Sequence, residues 1–240
     1  CEIGARSKMA TITITTCDNG SIELEGGKFR DDTLLFAAAD VWAAGTILAR
    51  KLVSDTITTA ITGTGTRALT ASAVAGRTLQ TGSWTVVAGT LSSGVGTWTA
   101  TAPSGETETC TTAAAGGDLL FPRLGLSIVV AETGTNYVTA DSIAVTVAAQ
   151  SGTPLVPFSP TGRNGAQVPV AVLPYPIPVA AGGSVAARVL VAGEVNRTRL
   201  VIDEDADGDN ITDAILDALA SQGIVATPVE QLSALDNGAS

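Results

Sequence analysis

Histidine is absent from the 240 residues of this chain. Without it there can be no Ser-His-Asp or Cys-His nucleophile system, and no zinc site with an imidazole ligand. Aromatic residues make up only 4%, so the ring platforms that sugar sites use are scarce, and paired carboxylates alone do not make a glycosidase. The three cysteines, Cys1, Cys17 and Cys110, cannot build a disulfide framework because one is left over. Free thiols of a protein assembled in a reducing compartment are the expected state; a Cys17–Cys110 bridge, or a link between subunits through the N-terminal segment, is the alternative. No apolar run reaches the roughly 18 residues that span a bilayer. The longest are broken by Asp40 and by Pro169, Pro174, Pro176 and Pro178. Basic residues are few, 13 Lys and Arg against 23 Asp and Glu, for a net charge of −10. Phosphate binding needs clustered Lys and Arg, so neither a nucleic acid nor a membrane is an expected partner.

What the chain does have is Ala, Val, Leu, Ile, Thr and 26 glycines, a balance that suits short strands and tight turns. The expected class is mainly β. Its length allows two compact units, and the texture divides that way. Residues 29–52 and 155–202 read as two halves of one small β domain. Between them lies a Thr/Gly/Ala-rich stretch that begins ITGTGTRALTASAVAG and closes NYVTADSIAVTVAAQ. The expected organisation is an extended arm over 1–26, a discontinuous domain over 27–56 and 151–230, an inserted β-sandwich over 57–150, and a polar tail over 231–240.

Along the arm, Ile12, Ile14, Ile22 and Leu24 alternate with polar residues around Asp18-Asn19-Gly20, a hairpin signal. It reads either as a first strand of the body or as an arm that adds a strand to a neighbouring protein's sheet. Strands are expected at 34–36 and 46–52, with Gly45 supplying a tight turn between them. Five more candidates at 85–87, 96–101, 106–111, 125–130 and 142–147 are spaced as in an immunoglobulin-like sandwich. Pro169 marks the run 167–173 as an edge or a bend, and strands follow at 186–195 and 198–202. Ile211, Ile215, Leu216 and Leu219 lie on one face of a helix over 211–222, which Gly223 ends before a short closing strand at 224–226. Trp42, Phe158, Val170, Val172 and Leu173 are candidates for the core or for a contact between subunits.

The one site-like cluster is acidic: Asp203, Asp205, Asp207, Asp209 and Asp213 surround Gly208. Alternate carboxylates about a glycine suggest a calcium loop, but in either register position 12 is Ala214 or Leu216 rather than a bidentate Glu. The expected reading is a solvated turn in which Asn210 or Thr212 caps the helix. No metal, no cofactor and no catalytic residue is expected, and the chain is not read as an enzyme.

Two sets of residues carry a resemblance. Val41-Trp42-Ala43-Ala44-Gly45-Thr46-Ile47-Leu48, with Arg199-Leu200 leading toward the terminal helix, resembles the lambda-type head decoration (cement) proteins of tailed bacteriophages. Gly63-Thr64-Gly65-Thr66, Pro103-Ser104-Gly105 and the segment 137–147 resemble an immunoglobulin-like module that recurs inside phage structural proteins. That module departs from its usual pattern at Asn136-Tyr137, where Asp-Phe is usual, and at Ala140-Asp141, where Gly-Asp is usual. The resemblance covers most of residues 25–230 and rests on pattern and order. It implies a β-clip-like domain with one short C-terminal helix, interrupted by the insert. It also implies a homotrimer that binds the major capsid protein on the outer surface of the mature head and stabilises it against internal DNA pressure. Assembly would take place in the bacterial cytoplasm, and the arm, with Ile12, Ile14, Ile22 and Leu24, would grip the capsid. The competing readings are an adhesive module that binds host glycans through the insert, and a tail-tube component.

Overall fold

The computed structural model describes residues 23–36, 40–112, 117–179, 183–202 and 211–228. They form a mainly β protein with one α-helix among them, near the C-terminus. The first part of the chain supplies β1 (Glu23–Leu35), β2 (Asp40–Trp42) and β3 (Ile47–Arg50). The middle supplies β4 (Val53–Thr62), β5 (Leu69–Ala73), β6 (Gly82–Ser92), β7 (Val95–Thr101), β8 (Thr107–Thr112), β9 (Leu119–Phe121), β10 (Leu126–Val130) and β11 (Ser142–Ala149). The last part supplies β12 (Leu155–Pro157), β13 (Pro169–Val172), β14 (Ile177–Val179), β15 (Ser184–Asn196), α1 (Asp213–Ser221) and β16 (Ile224–Thr227).

Strands from the first and last parts close on themselves. The order β1-β12-β3-β13-β15 returns to β1 through the long antiparallel β1–β15 pair, and β16 adds in parallel to β15. All five ring strands send residues to one cluster: Leu34, Leu155, Leu48, Ala171, and Ala187 with Val189. This is the barrel interior. The alternate residues Ile47, Val172 and Leu190 join a second cluster with Ile215 and Leu219 of α1. Strands buried on both faces read as continuous apolar runs, which is why residues 47–49 and 170–173 lack polar alternation. Each fully buried Leu or Ile contributes about 1.5–3 kcal/mol.

The middle strands form a five-stranded sheet, β4-β11-β6-β7-β8, and a three-stranded sheet, β5-β10-β9. Both feed a single core that includes Trp84, Trp98, Phe121 and Ile128, so they stack as a sandwich. Here the period of two is clean. In β11, Ile143, Val145 and Val147 are buried while Ala144, Thr146 and Ala148 are exposed. The sandwich core draws only on residues 53–147, and the two barrel clusters draw on none of them.

Two chain crossings join barrel and sandwich side by side. Val53 pairs with Ala149, Gln150 N donates to Leu52 O, and Lys51 N donates to Pro154 O. The loop 158–168 braces the joint. Gly76 N donates to Gly162 O, Asn164 N to Arg77 O, and Gln167 Nε2 to Thr78 Oγ1 at 2.6 Å. Buried Asn164, at φ +59°, accepts on its carbonyl from both Leu52 N and Val53 N.

Several expectations change. The strand that enters the sandwich starts at Val53, not 57, because β4 and β11 pair down to the crossing. β1 starts at Glu23, inside the span read as arm, since Glu23 and Glu25 already pair with β15. β13 lies between β3 and β15 rather than at an edge, and the irregularity at Pro169 is the bend, the other expectation. Pro169 is tolerated there as the first residue of the strand, followed by a register shift. The strand read at 198–202 is replaced by a 3-10 turn over Arg197–Arg199, because Asn196 Oδ1 accepts from Thr198 N and Oγ1. After it Val201 forms an isolated parallel bridge with Thr46.

Candidate binding surfaces

The residues read as core or subunit contacts fall inside the fold. Trp42 is buried and its ring stacks on Phe36 at 3.8 Å. Phe158, Val172 and Leu173 are buried, and Val170 is partly buried against the barrel interior. Their apolar neighbours are not. Val41 and Tyr175 are each 61% exposed. Val41 sits on the two-stranded β2–β14 ribbon, opposite Pro178, and Ile177 stands opposite Trp42.

Asp141 is buried and has three backbone partners. Its carboxylate accepts from Thr64 N at 3.1 Å, Gly65 N at 3.0 Å and Val138 N at 3.0 Å. Burial by itself would raise its pKa; those three N–H groups outweigh it and hold the carboxyl below its ordinary range. The glycines of the Gly63-Thr64-Gly65 motif follow from this. A Cβ at Gly63 would lie 2.0 Å from Asp141 Oδ1, and one at Gly65 would lie 2.1 Å from the Tyr137 ring. The Tyr137 hydroxyl donates to Arg67 O at 2.6 Å, while burial pushes its pKa up. The motif therefore locks the end of β4 to the segment before β11.

A second charged group braces the barrel. Asp32 on β1 takes the guanidinium of Arg50, which also donates to Thr153 O at 2.7 Å beside the return crossing. Burial would raise the Asp32 pKa; the bond from Arg50, the Thr33 N–H and the charge of Arg30 lower it below the usual carboxylate value. A groove of about 280 Å³ lies between Phe158, Pro160, Pro169 and the α1 residues Ile215 and Ala218. Its amide, Gln167, is occupied on both ends, by Gly165 N and by Thr78.

No group of three His, Cys, Asp or Glu side chains gathers among the described residues. Asp203, Asp205, Asp207 and Asp209 lie outside them, as do Ile12, Ile14, Ile22 and the thiols Cys1 and Cys17. Asp213 opens α1 and faces Arg197 at 3.6 Å, largely in solvent. Leu24 lies on β1. The Cys110 thiol is free and half-buried on β8, with its pKa raised by burial. Thr212 occupies the N-cap position of α1 but its side chain makes no cap bond, and Asn210, the other expected cap, lies outside the described residues.

The described residues thus form a closed barrel joined to a sandwich, braced by Asp141, Asp32 and Gln167. Residues 123–224 match the family model described as bacteriophage lambda head decoration protein D, a span from the β9–β10 turn to the first residue of β16. No curated protein matches. Two crystal structures of Xanthomonas campestris FlgL are similar over 42% and 43% of this chain, at 17% and 16% identity, each with a TM-score of 0.29. This chain covers 32% and 33% of theirs, about a third of their length. So low a score carries no argument.

Proposed function

We propose that this protein decorates a bacteriophage head, binding the outer surface of the mature capsid as a homotrimer and stabilising it against internal DNA pressure. The observation that carries this reading is the match of residues 123–224 to the head decoration family, which takes in β12 to β15 and α1 of the barrel. The protein acts by binding. A trimer that bridges capsid subunits adds interfacial area across joints that pressure would open, at about 25 cal/mol per Å² of apolar surface before ordering costs. Residues 1–22, with Ile12, Ile14 and Ile22, lead directly into β1 and serve as the capsid-gripping arm by strand addition to the major capsid protein. Three identical arms bind with the avidity of linked contacts. The sandwich over 53–149 is an inserted immunoglobulin-like module that the barrel mounts.

The test is addition of the purified protein to expanded heads that lack decoration. Expected are trimeric densities at the three-fold positions and heads that survive heating or chelation better than bare ones. Deletion of residues 1–22 should abolish binding and leave the melting curve unchanged. Densities in rings along tails, or full binding by the truncated chain, would overturn the reading or the role of the arm, respectively.

A further inference from the structure

We propose that the β2–β14 ribbon, with Val41 and Tyr175 at its surface, is where copies of this chain meet one another. The inference rests on the trimeric reading above and names its contact surface. All nine aromatic residues of the chain lie among the described residues, and Tyr175 is the one left largely in solvent. Tyr offers a large ring with a polar tip and is enriched among the residues that dominate protein interfaces.

The ribbon is held rigidly from behind. Trp42 stacks on Phe36, and Ile177 packs on the barrel interior beside Leu173. Pro174, Pro176 and Pro178 fix the backbone and remove three N–H donors. The segment therefore presents side chains, not a strand edge, and little conformational entropy remains to be lost on docking.

Charge selects the occupant. The chain carries −10, and no charged side chain occurs from residue 164 to residue 187. Asp40, at the end of the ribbon, is the acid nearest to Val41 in sequence. Copies of an acidic protein repel wherever carboxylates approach, and this apolar, nearly charge-free surface lets them touch without that cost. A second copy fits it, since each brings the same uncharged patch.

The experiment is sedimentation of the full chain and of Tyr175→Asp, Val41→Asp and Leu120→Asp, in solution and bound to undecorated heads. Leu120, half exposed on the sandwich strand β9, is the control for a surface charge placed elsewhere. Expected are trimers for the wild type and Leu120→Asp. The ribbon variants should shift to monomers, with a dissociation constant raised at least about thirtyfold and unchanged thermal melts. Ribbon variants that associate like wild type would overturn the inference and leave the trimer standing. Variants that stay trimeric but lose the heads would assign the ribbon to the shell protein, and so overturn it as well. A wild type that is monomeric both in solution and on heads would overturn the trimeric reading itself.

Discussion

At the scale of single residues, the one buried charge among the described residues holds backbone in place. Asp141 joins three N–H groups from two segments, Thr64 and Gly65 on one side and Val138 on the other. Its folded pKa is depressed, so its contribution to stability is fully present above the unfolded value near 3.8 and is lost as pH falls through the lower folded value. Asp32 has the same sign. Asp141→Asn turns one acceptor into a donor facing N–H groups, and should cost about 2–3 kcal/mol at pH 7. Urea unfolding at pH 7 and pH 3 checks this. The gap between wild type and variant should shrink in acid, and equal midpoints at pH 7 would refute the role. The motif that carries these contacts was visible in the sequence, but its reason was not. Gly63 and Asp141 lie far apart in the chain, and only the fold shows that a side chain on the glycine would strike the carboxylate. The departure at Ala140 is likewise a structural fact. It stands at φ +72°, a left-handed position where glycine costs least.

At the scale of elements, local signals read well and those that depend on neighbours did not. Helix α1 ends where its glycine says it should. Gly223 takes φ +89°, its N–H reaches Ala220 O, and β16 follows at once. The start of the helix is different. Thr212 has the right type and place for a cap, but its side chain makes no cap bond, and its carbonyl only takes the first intrahelical bonds, from Ile215 N and Leu216 N. Thr212→Ala should therefore change stability by less than about 0.5 kcal/mol, where a side-chain cap would cost about 1 kcal/mol. A thermal melt decides between them. Three sandwich strands were not legible. β4 runs VSDTITTAIT at an edge, so its inward residues Ile57 and Thr59 are only partly covered and its alternation is blurred. β5 is a short, small-residue run, and β9 is three residues long. Pro169 misled about position because its place at the head of β13 spares the ladder a missing donor.

At the scale of the whole molecule, the separation of the cores makes a strong claim about assembly from parts. The sandwich core draws on residues 53–147, and the barrel clusters draw on residues outside that span. Val53 and Ala149 are an antiparallel pair at the joint, the geometry that a two-residue Asn-Gly turn closes. Removing residues 54–148 and joining Val53 to Ala149 by such a turn should leave a barrel that folds and binds heads. It should not leave the barrel untouched. The loop 158–168 would lose its bonds to Gly76, Arg77 and Thr78, and buried Asn164, whose side-chain oxygen has no partner, would face water. Asn164 would still hold Leu52 and Val53 through its carbonyl. The excised protein should melt lower than the full chain in one cooperative transition, with amide exchange accelerated in the loop and not in β3, β13 or β15. A chain that fails to fold after this excision would mean that the sandwich carries part of the stability of the barrel, against the division of the cores.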